Sequence, residues 1–307
     1  MLALVLSGAG NFGPMQVGAL EVLLEEGFHP EIIVGTSAGA LNAVFFASDP
    51  TPTGLNRLVD AWRSVGETEV GMPSLFSGVR RLITMQDGLI DSHSLAELLR
   101  EKLPFGVETF GQLAAEQGVR AYTVAICMET GRLVVFGDHE DDRVLDGMMA
   151  SAAIPPYFPP WERGGRHYVD GGVLSKLPVR VAFERGATEV VAIDIRNTHG
   201  TLEGARGMIG IGSYSLSLIM EHQTETEIEW VTAAGIPIYR IRLAVPSDMQ
   251  FWDFSQPDRL ISRGRELAQS KLDSEPLNLH PTWWLWFSRA SAGLRSRRTG
   301  TLSELES

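Results

Sequence analysis

Gly35-Thr36-Ser37-Ala38-Gly39 places one hydroxyl between two glycines, after the apolar run EIIV and before the small-residue segment AGALNAVFFAS. A G-x-S-x-G corner between a strand and a helix holds its serine on a strained turn at the helix N-terminus, where it can act as a nucleophile. Gly35 and Gly39 give the chain room to reverse, and the positive end of the helix dipole favours negative charge nearby. Taken alone, the pentapeptide fits a glycine-rich turn with an incidental serine equally well.

A serine hydroxyl attacks only when a positioned base takes its proton. The better candidate is Asp170 in YVDGG, a carboxylate at a strand end followed by Gly171 and Gly172, which let the backbone bring it against another segment. A free aspartate, with a pKa of ~3.9, is a weak base, and desolvation beside an apolar substrate raises it. DGG by itself also reads as an ordinary turn. Of the seven histidines, His29, His93, His139 and His199 fall in polar, loop-like stretches, His222 on a charged helix and His280 near the C-terminal end. His167, two residues after a Gly-Gly turn, is the least dismissible of them.

A third group is SGAGNFG, with Gly8, Gly10 and Gly13 in the pattern G-x-G-x-x-G after the first strand. The N–H groups of such a loop can face a cofactor pyrophosphate or the oxyanion of an acyl-transfer intermediate. A dinucleotide site needs an acidic residue at the end of the second strand, and that strand here runs into Gly35-Thr36-Ser37. No Gly-Lys-Ser/Thr follows to make a phosphate-binding loop, so no cofactor is expected. EHQTETEIE offers His222 and Glu225 to a metal but reads as a solvated helix face, and no metal is expected either.

The elements that must hold these residues alternate short apolar runs with amphipathic segments, the pattern of parallel strands covered by helices. LALVL is the first strand; Pro14 opens a helix running to about Glu26, and Gly27 stops it. DPTPTG is a loop before a helix over 54–65, residues 67–90 read as a lid or cap, and Ser94 with Glu97 resembles a capping box opening LAELLREKL. RAYTVAICM and RLVVFG read as a strand pair, DRVLDGMMASAA as a helix and IPPYFPP as a rigid loop. WERGGRHYVDGG is a hairpin that puts Asp170 at a strand end. EVVAIDI is a buried strand, followed by a helix over 213–234, the strand PIYRIRLA and a closing helix over 257–273.

With 307 residues and 44% hydrophobic content the chain can bury a sizeable core. A formal net charge of −12 repels phosphate backbones, which argues against a nucleic-acid partner. Cys127 cannot form an internal disulfide and lies in a strand-like run as a small buried hydrophobe, which fits a reducing compartment. MLALVL is too short for a signal segment and lacks a basic flank, and no stretch approaches the ~18 apolar residues of a membrane span. The expectation is a cytoplasmic protein.

Taken in order, GAGNFG, GTSAG, ASAAIPPYFPP and DGG resemble the patatin-like phospholipase family, lipid acyl hydrolases that use a Ser–Asp dyad; the likeness runs from residue 1 to about residue 245. The resemblance implies a three-layer α/β/α patatin-like fold with a mostly parallel central sheet. It implies Ser37 as nucleophile, Asp170 as general base, and an oxyanion hole from the backbone of Gly8, Ala9, Gly10 and Asn11, with a lipid or other acyl ester as substrate. ASAAIPPYFPP would lie beside the site and help to shape it. Two positions depart from the family pattern: Lys176 stands where asparagine is more usual, and Phe12 where the glycine loop usually carries Arg or Lys. Without that charge the expectation turns toward esters generally rather than charged phospholipids.

From Glu275 onward the composition changes, which divides the chain into a hydrolase domain over 1–275 and a tail over 276–307. In the tail Trp283, Trp284, Trp286 and Phe287 lie beside Arg289, Arg295, Arg297 and Arg298. Rings at head-group depth with arginines on anionic lipid would make an interfacial anchor and a peripheral membrane contact; packing on the protein's own surface or at a dimer contact accounts for them equally well. Two other functional readings stay open: a histidine triad completed by His199, His222 or His280, and a non-catalytic lipid- or protein-binding relative, for which Phe12 is the argument. The sequence carries no signature of an oligomeric state.

Overall fold

A computed structural model describes residues 1–67, 92–103, 107–155, 157–196, 207–249 and 253–277. Apart from Glu67, Pro276 and Leu277, the expected lid and the expected tail lie outside these described residues.

Five apolar runs pair in parallel: β1 (Leu2–Leu6), β2 (Ile32–Thr36), β3 (Arg120–Cys127), β7 (Glu189–Arg196) and β8 (Ile238–Ala244). β1 lies between β2 and β7, with β3 outside β2 and β8 outside β7. β4 (Arg132–Phe136) and the hairpin of β5 (Trp161–Arg163) and β6 (Arg166–Asp170) add to β3 in the antiparallel sense.

The strands are nearly continuous hydrophobic runs because both faces of the sheet are covered. Alternate side chains enter separate cores: Leu4, Leu6 and Ile33 on one face, Ala3, Val5, Ile32 and Val34 on the other. The first core is closed by α1 (Gly13–Glu25), α2 (Ala38–Ser48), α3 (Pro52–Glu67), α4 (Ser92–Lys102), α5 (Phe110–Gln117), α6 (Val144–Ala152) and, across α1, α10 (Pro257–Ser274). The second is closed by the segment after the one-turn α7 (Gly172–Ser175), by α8 (Val179–Glu184) and by α9 (Gly207–Ala233). The result is the three-layer α/β/α arrangement.

Three helix starts differ from expectation: α3 begins at Pro52, inside the stretch read as the loop DPTPTG, since proline suits a first helical turn, α9 begins at Gly207 rather than at 213, and α4 begins ahead of its expected cap. α4 begins at Ser92, so Ser94 is its third residue and cannot cap it, since a cap needs non-helical backbone. The capping box that does form opens α5: Thr109 Oγ1 accepts the Gln112 N–H at 3.2 Å and Gln112 Oε1 accepts the Thr109 N–H at 3.0 Å.

A buried polar knot holds the first three helices against the glycine loop. Asn42 Nδ2 donates to Gly13 O at 3.0 Å and Gln16 Oε1 at 2.8 Å, Trp62 Nε1 donates to Asn42 Oδ1 at 2.8 Å, and Gln16 Nε2 donates to Ser7 O at 2.9 Å. In a helix whose other residues are nearly all apolar, Asn42 is fully buried, and removing it strands three polar groups away from water. Each such loss costs about 1–3 kcal/mol. Asn42→Leu is therefore expected to lower the unfolding free energy by about 2–4 kcal/mol in urea denaturation. A change below about 0.5 kcal/mol would show that the knot does not hold the loop.

Candidate active site

The registers on β3 bring the two motifs together. β4 takes one edge of β3, and the other edge is shared end to end: Thr36 of β2 pairs with Val124, and Asp170 of β6, arriving from the opposite direction, pairs with Ala125. Ser37 and Asp170 are therefore the residues at which two converging strands meet.

Ser37 sits at φ 57 and ψ −127 and is the only non-glycine residue with positive φ among the described residues. Such a conformation costs roughly 1–3 kcal/mol and persists only when the surroundings impose it. They do so by close approach. A Cβ on Gly35 would stand 2.2 Å from Gly39 O, and one on Gly39 would stand 2.5 Å from Ser7 O and 2.6 Å from Leu6 O. The N-terminal end of α2 thus lies directly against β1 and β2, and the serine between the glycines has no other path. Its N–H donates to Ser151 Oγ at 2.8 Å, while Asp170 N–H donates to Ala153 O at 3.0 Å. The Ala-Ser-Ala-Ala segment ending α6 thus touches both residues.

Asp170 is buried, and burial pushes its carboxyl up to about 6, against the opposing pull of the Ser37 hydroxyl and the Gly172 N–H. Gly172 N–H donates to Oδ1 at 2.7 Å. Oδ2 closes no hydrogen bond of normal geometry, although the Ser37 hydroxyl is near enough to pull the carboxyl's pKa down.

In the glycine loop the four expected amides divide. Gly8 N–H already donates to Lys176 O at 2.9 Å, which removes it from the set available to an anion. Among the described residues no backbone partner engages the N–H of Ala9 or Gly10. Asn11 anchors the loop through Nδ2, which donates to Asp253 O at 2.8 Å. Phe12 is buried in the core, so this position brings neither charge nor polarity to the loop.

No hydrogen bond joins a described histidine to Ser37. His167 Nδ1 pairs with Glu129 Oε1 at 2.8 Å on a half-exposed hairpin, and His222 is exposed on α9. His199 and His280 lie outside the described residues. Sequence reasoning gave no role to Thr36 or Ser175, which brace the corner alongside Ser151 of the ASAAIPPYFPP segment: Thr36 Oγ1 donates to Ser175 O at 2.9 Å. Their one signal is a small hydroxyl residue in an apolar run.

A family model described as patatin-like phospholipase matches residues 4–183. Over 202 residues the chain is 28% identical to patatin-like phospholipase domain-containing protein 7 of Mus musculus, covering 63% of this chain and 13% of that protein. It is 29% identical over 211 residues to the uncharacterized protein YqhO of Bacillus subtilis, covering 62% of this chain and 70% of that one. It is 27% identical over 201 residues to the uncharacterized NTE family protein Mb2594 of Mycobacterium bovis, of which it spans 30%. Among solved structures, VipD from Legionella pneumophila aligns with a TM-score of 0.49 at 15% identity, covering 89% of this chain and 66% of VipD.

The raised pKa has a stability consequence. Folded Asp170 keeps its proton up to about 6, whereas the unfolded residue releases it near 3.8, so the native state loses stability as pH rises between those values. Asp170→Asn removes this deficit. Relative to wild type, the variant is expected to gain roughly 2–3 kcal/mol between pH 4 and pH 7.5 in urea denaturation; a pH-independent difference would show that the carboxyl is not perturbed.

Proposed function

The chain belongs to the patatin-like phospholipase family, and on that premise we propose that it is a serine acyl hydrolase cleaving carboxylic esters of lipids through Ser37 and Asp170. The reading is carried by one observation: the only strained non-glycine backbone among the described residues belongs to a serine that faces a buried aspartate of raised pKa.

Ser37 Oγ attacks the ester carbonyl carbon and its proton passes to Asp170 Oδ2. The N–H groups of Ala9 and Gly10 receive the negative charge on the carbonyl oxygen, a contribution worth about 3 kcal/mol for each donor. Collapse of the tetrahedral species breaks the ester bond, and the leaving alcohol takes the proton from Asp170. Water then attacks the acyl-serine with Asp170 again as base, releasing the carboxylic acid and restoring the hydroxyl. An aspartate of ordinary pKa would be a poor base; burial brings this one closer to the proton affinity the step requires.

We take residues 1–275 as the catalytic unit. The match of residues 4–183 stops short of α10, but Leu260, Ile261, Ala268 and Leu272 belong to the same core as α1. No described helix is long and apolar enough to cross a membrane, so lipid would be met at a surface; the Trp/Arg tail is the contact proposed for it.

The test is a panel of lipid esters with fatty-acid release read by mass spectrometry. Ser37→Ala and Asp170→Asn are each expected to lower kcat at least ~10³-fold, and a fluorophosphonate should label Ser37 in the wild type. With a soluble neutral ester the rate should rise with pH through about 6, because the base acts only when deprotonated. Full activity in Ser37→Ala would overturn the mechanism, and failure of the probe would favour the non-catalytic relative.

A further inference from the structure

The one-turn α7 touches every part of the site. At its start Gly172 N–H holds Asp170 Oδ1 at 2.7 Å. At its end Ser175 O accepts the Thr36 hydroxyl at 2.9 Å, next to the nucleophile. One residue further, Lys176 O takes the Gly8 N–H at 2.9 Å, and the Lys176 Cγ lies 3.9 Å from where a Cβ on Gly8 would stand. Base, nucleophile and glycine loop are thereby tied to a single short segment, too short to hold its own geometry by internal hydrogen bonds.

Side chains behind it hold it in place: Ser175 Oγ donates to Glu227 Oε2 at 3.1 Å, Gln223 Nε2 donates to Leu174 O, and Lys176 adds a charged tie. The Lys176 side chain is 10% exposed, and its ammonium donates to Ile195 O at 2.9 Å and Glu221 Oε1 at 2.8 Å, with Asp194 Oδ1 at 3.9 Å. A buried ammonium demands partners of this kind and holds its stem to their positions. Asp194 is in turn gripped by Arg240 Nε at 3.1 Å and an Arg240 guanidinium NH2 at 2.7 Å, so the cation is pinned to β7, β8 and α9 together. Burial pushes the Glu221 carboxyl up, but the Lys176 hydrogen bond and charge, together with the charges of Arg196 and Arg240, hold it below the usual range.

We propose that Lys176 is a positioning residue for the reaction. By fixing the C-terminal end of α7 it sets the carbonyl that takes Gly8 N–H, and so turns the amides of Ala9 and Gly10 toward the carbonyl oxygen of the ester on Ser37. The inference rests on the acyl-hydrolase reading. It goes beyond it in assigning the registration of the anion hole to a buried cation that touches neither the nucleophile nor the substrate.

Lys176→Met keeps the stem and removes the charge. Asp194 retains both bonds from Arg240, and Glu221, at 30% exposure, can turn to water, so the chain is expected to fold. The measurements are the rate constant and stoichiometry of fluorophosphonate labelling, with kcat and KM on a soluble neutral ester. The expected result is a 10- to 100-fold lower labelling rate and kcat, an unchanged KM, and one label per chain. Lys176→Gln, which also lacks the charge, is the second variant should Met reduce the folded yield, and it is expected to behave alike. A merely structural role would lower the labelled fraction and leave the rate, and that result overturns the proposal. So does a wild-type rate in both variants while Ser37→Ala takes no label, which leaves the acyl-hydrolase reading standing. If wild type itself takes no label, that reading fails and this one with it.

Discussion

The site depends on a head-to-head meeting along one edge of β3. A parallel strand and an antiparallel strand cannot both run on along the same edge; where they converge, at Val124 and Ala125, each must leave the sheet. β2 leaves through the Ser37 corner into α2, and β6 leaves through Gly171 into α7. A hydroxyl and a carboxylate are thereby delivered to one point from chain positions more than a hundred residues apart. The hydrogen bonds of Ser151 and Ala153 then lock the two departures together.

This meeting concentrates destabilising features. Ser37 holds a backbone conformation that side chains avoid, and Asp170 is a carboxylate withdrawn from water with one oxygen unsatisfied. The surrounding order offsets both. Sheet and helices form two closed cores, the Asn42 knot fixes the glycine loop from one face, and the Lys176 cluster grips α7 from the other. The local strain is held by contacts that are themselves ordinary.

Much of this was legible in the order of residues. The alternation of apolar runs and amphipathic segments foretold the mixed sheet, because a strand buried on both faces must be apolar throughout. The serine corner was legible because Gly35 and Gly39 have backbone where a Cβ would go. Long-range pairing was not legible. Nothing local in GAGNFG says that the Gly8 amide is already taken, since its acceptor belongs to residue 176. Lys176 stands out in the sequence only as a departure from the family's usual asparagine, because its partners Glu221 and Asp194 come from distant elements, and nothing local in AGALNAVFFAS shows that Trp62 and Gln16 will meet Asn42. Ser94 shows the opposite error: a local capping signature loses when the helix begins at Ser92, three residues before LAELLREKL.

The convergence on β3 also bears on biosynthesis. As the chain emerges from a ribosome, the serine corner appears early, but its carboxylate partner follows only with β6, and the strand that steadies Ser7, β7, later still. The meeting of Ser37 with Asp170 therefore forms late and all at once, so an incomplete translation product carries the serine corner without the carboxylate set against it.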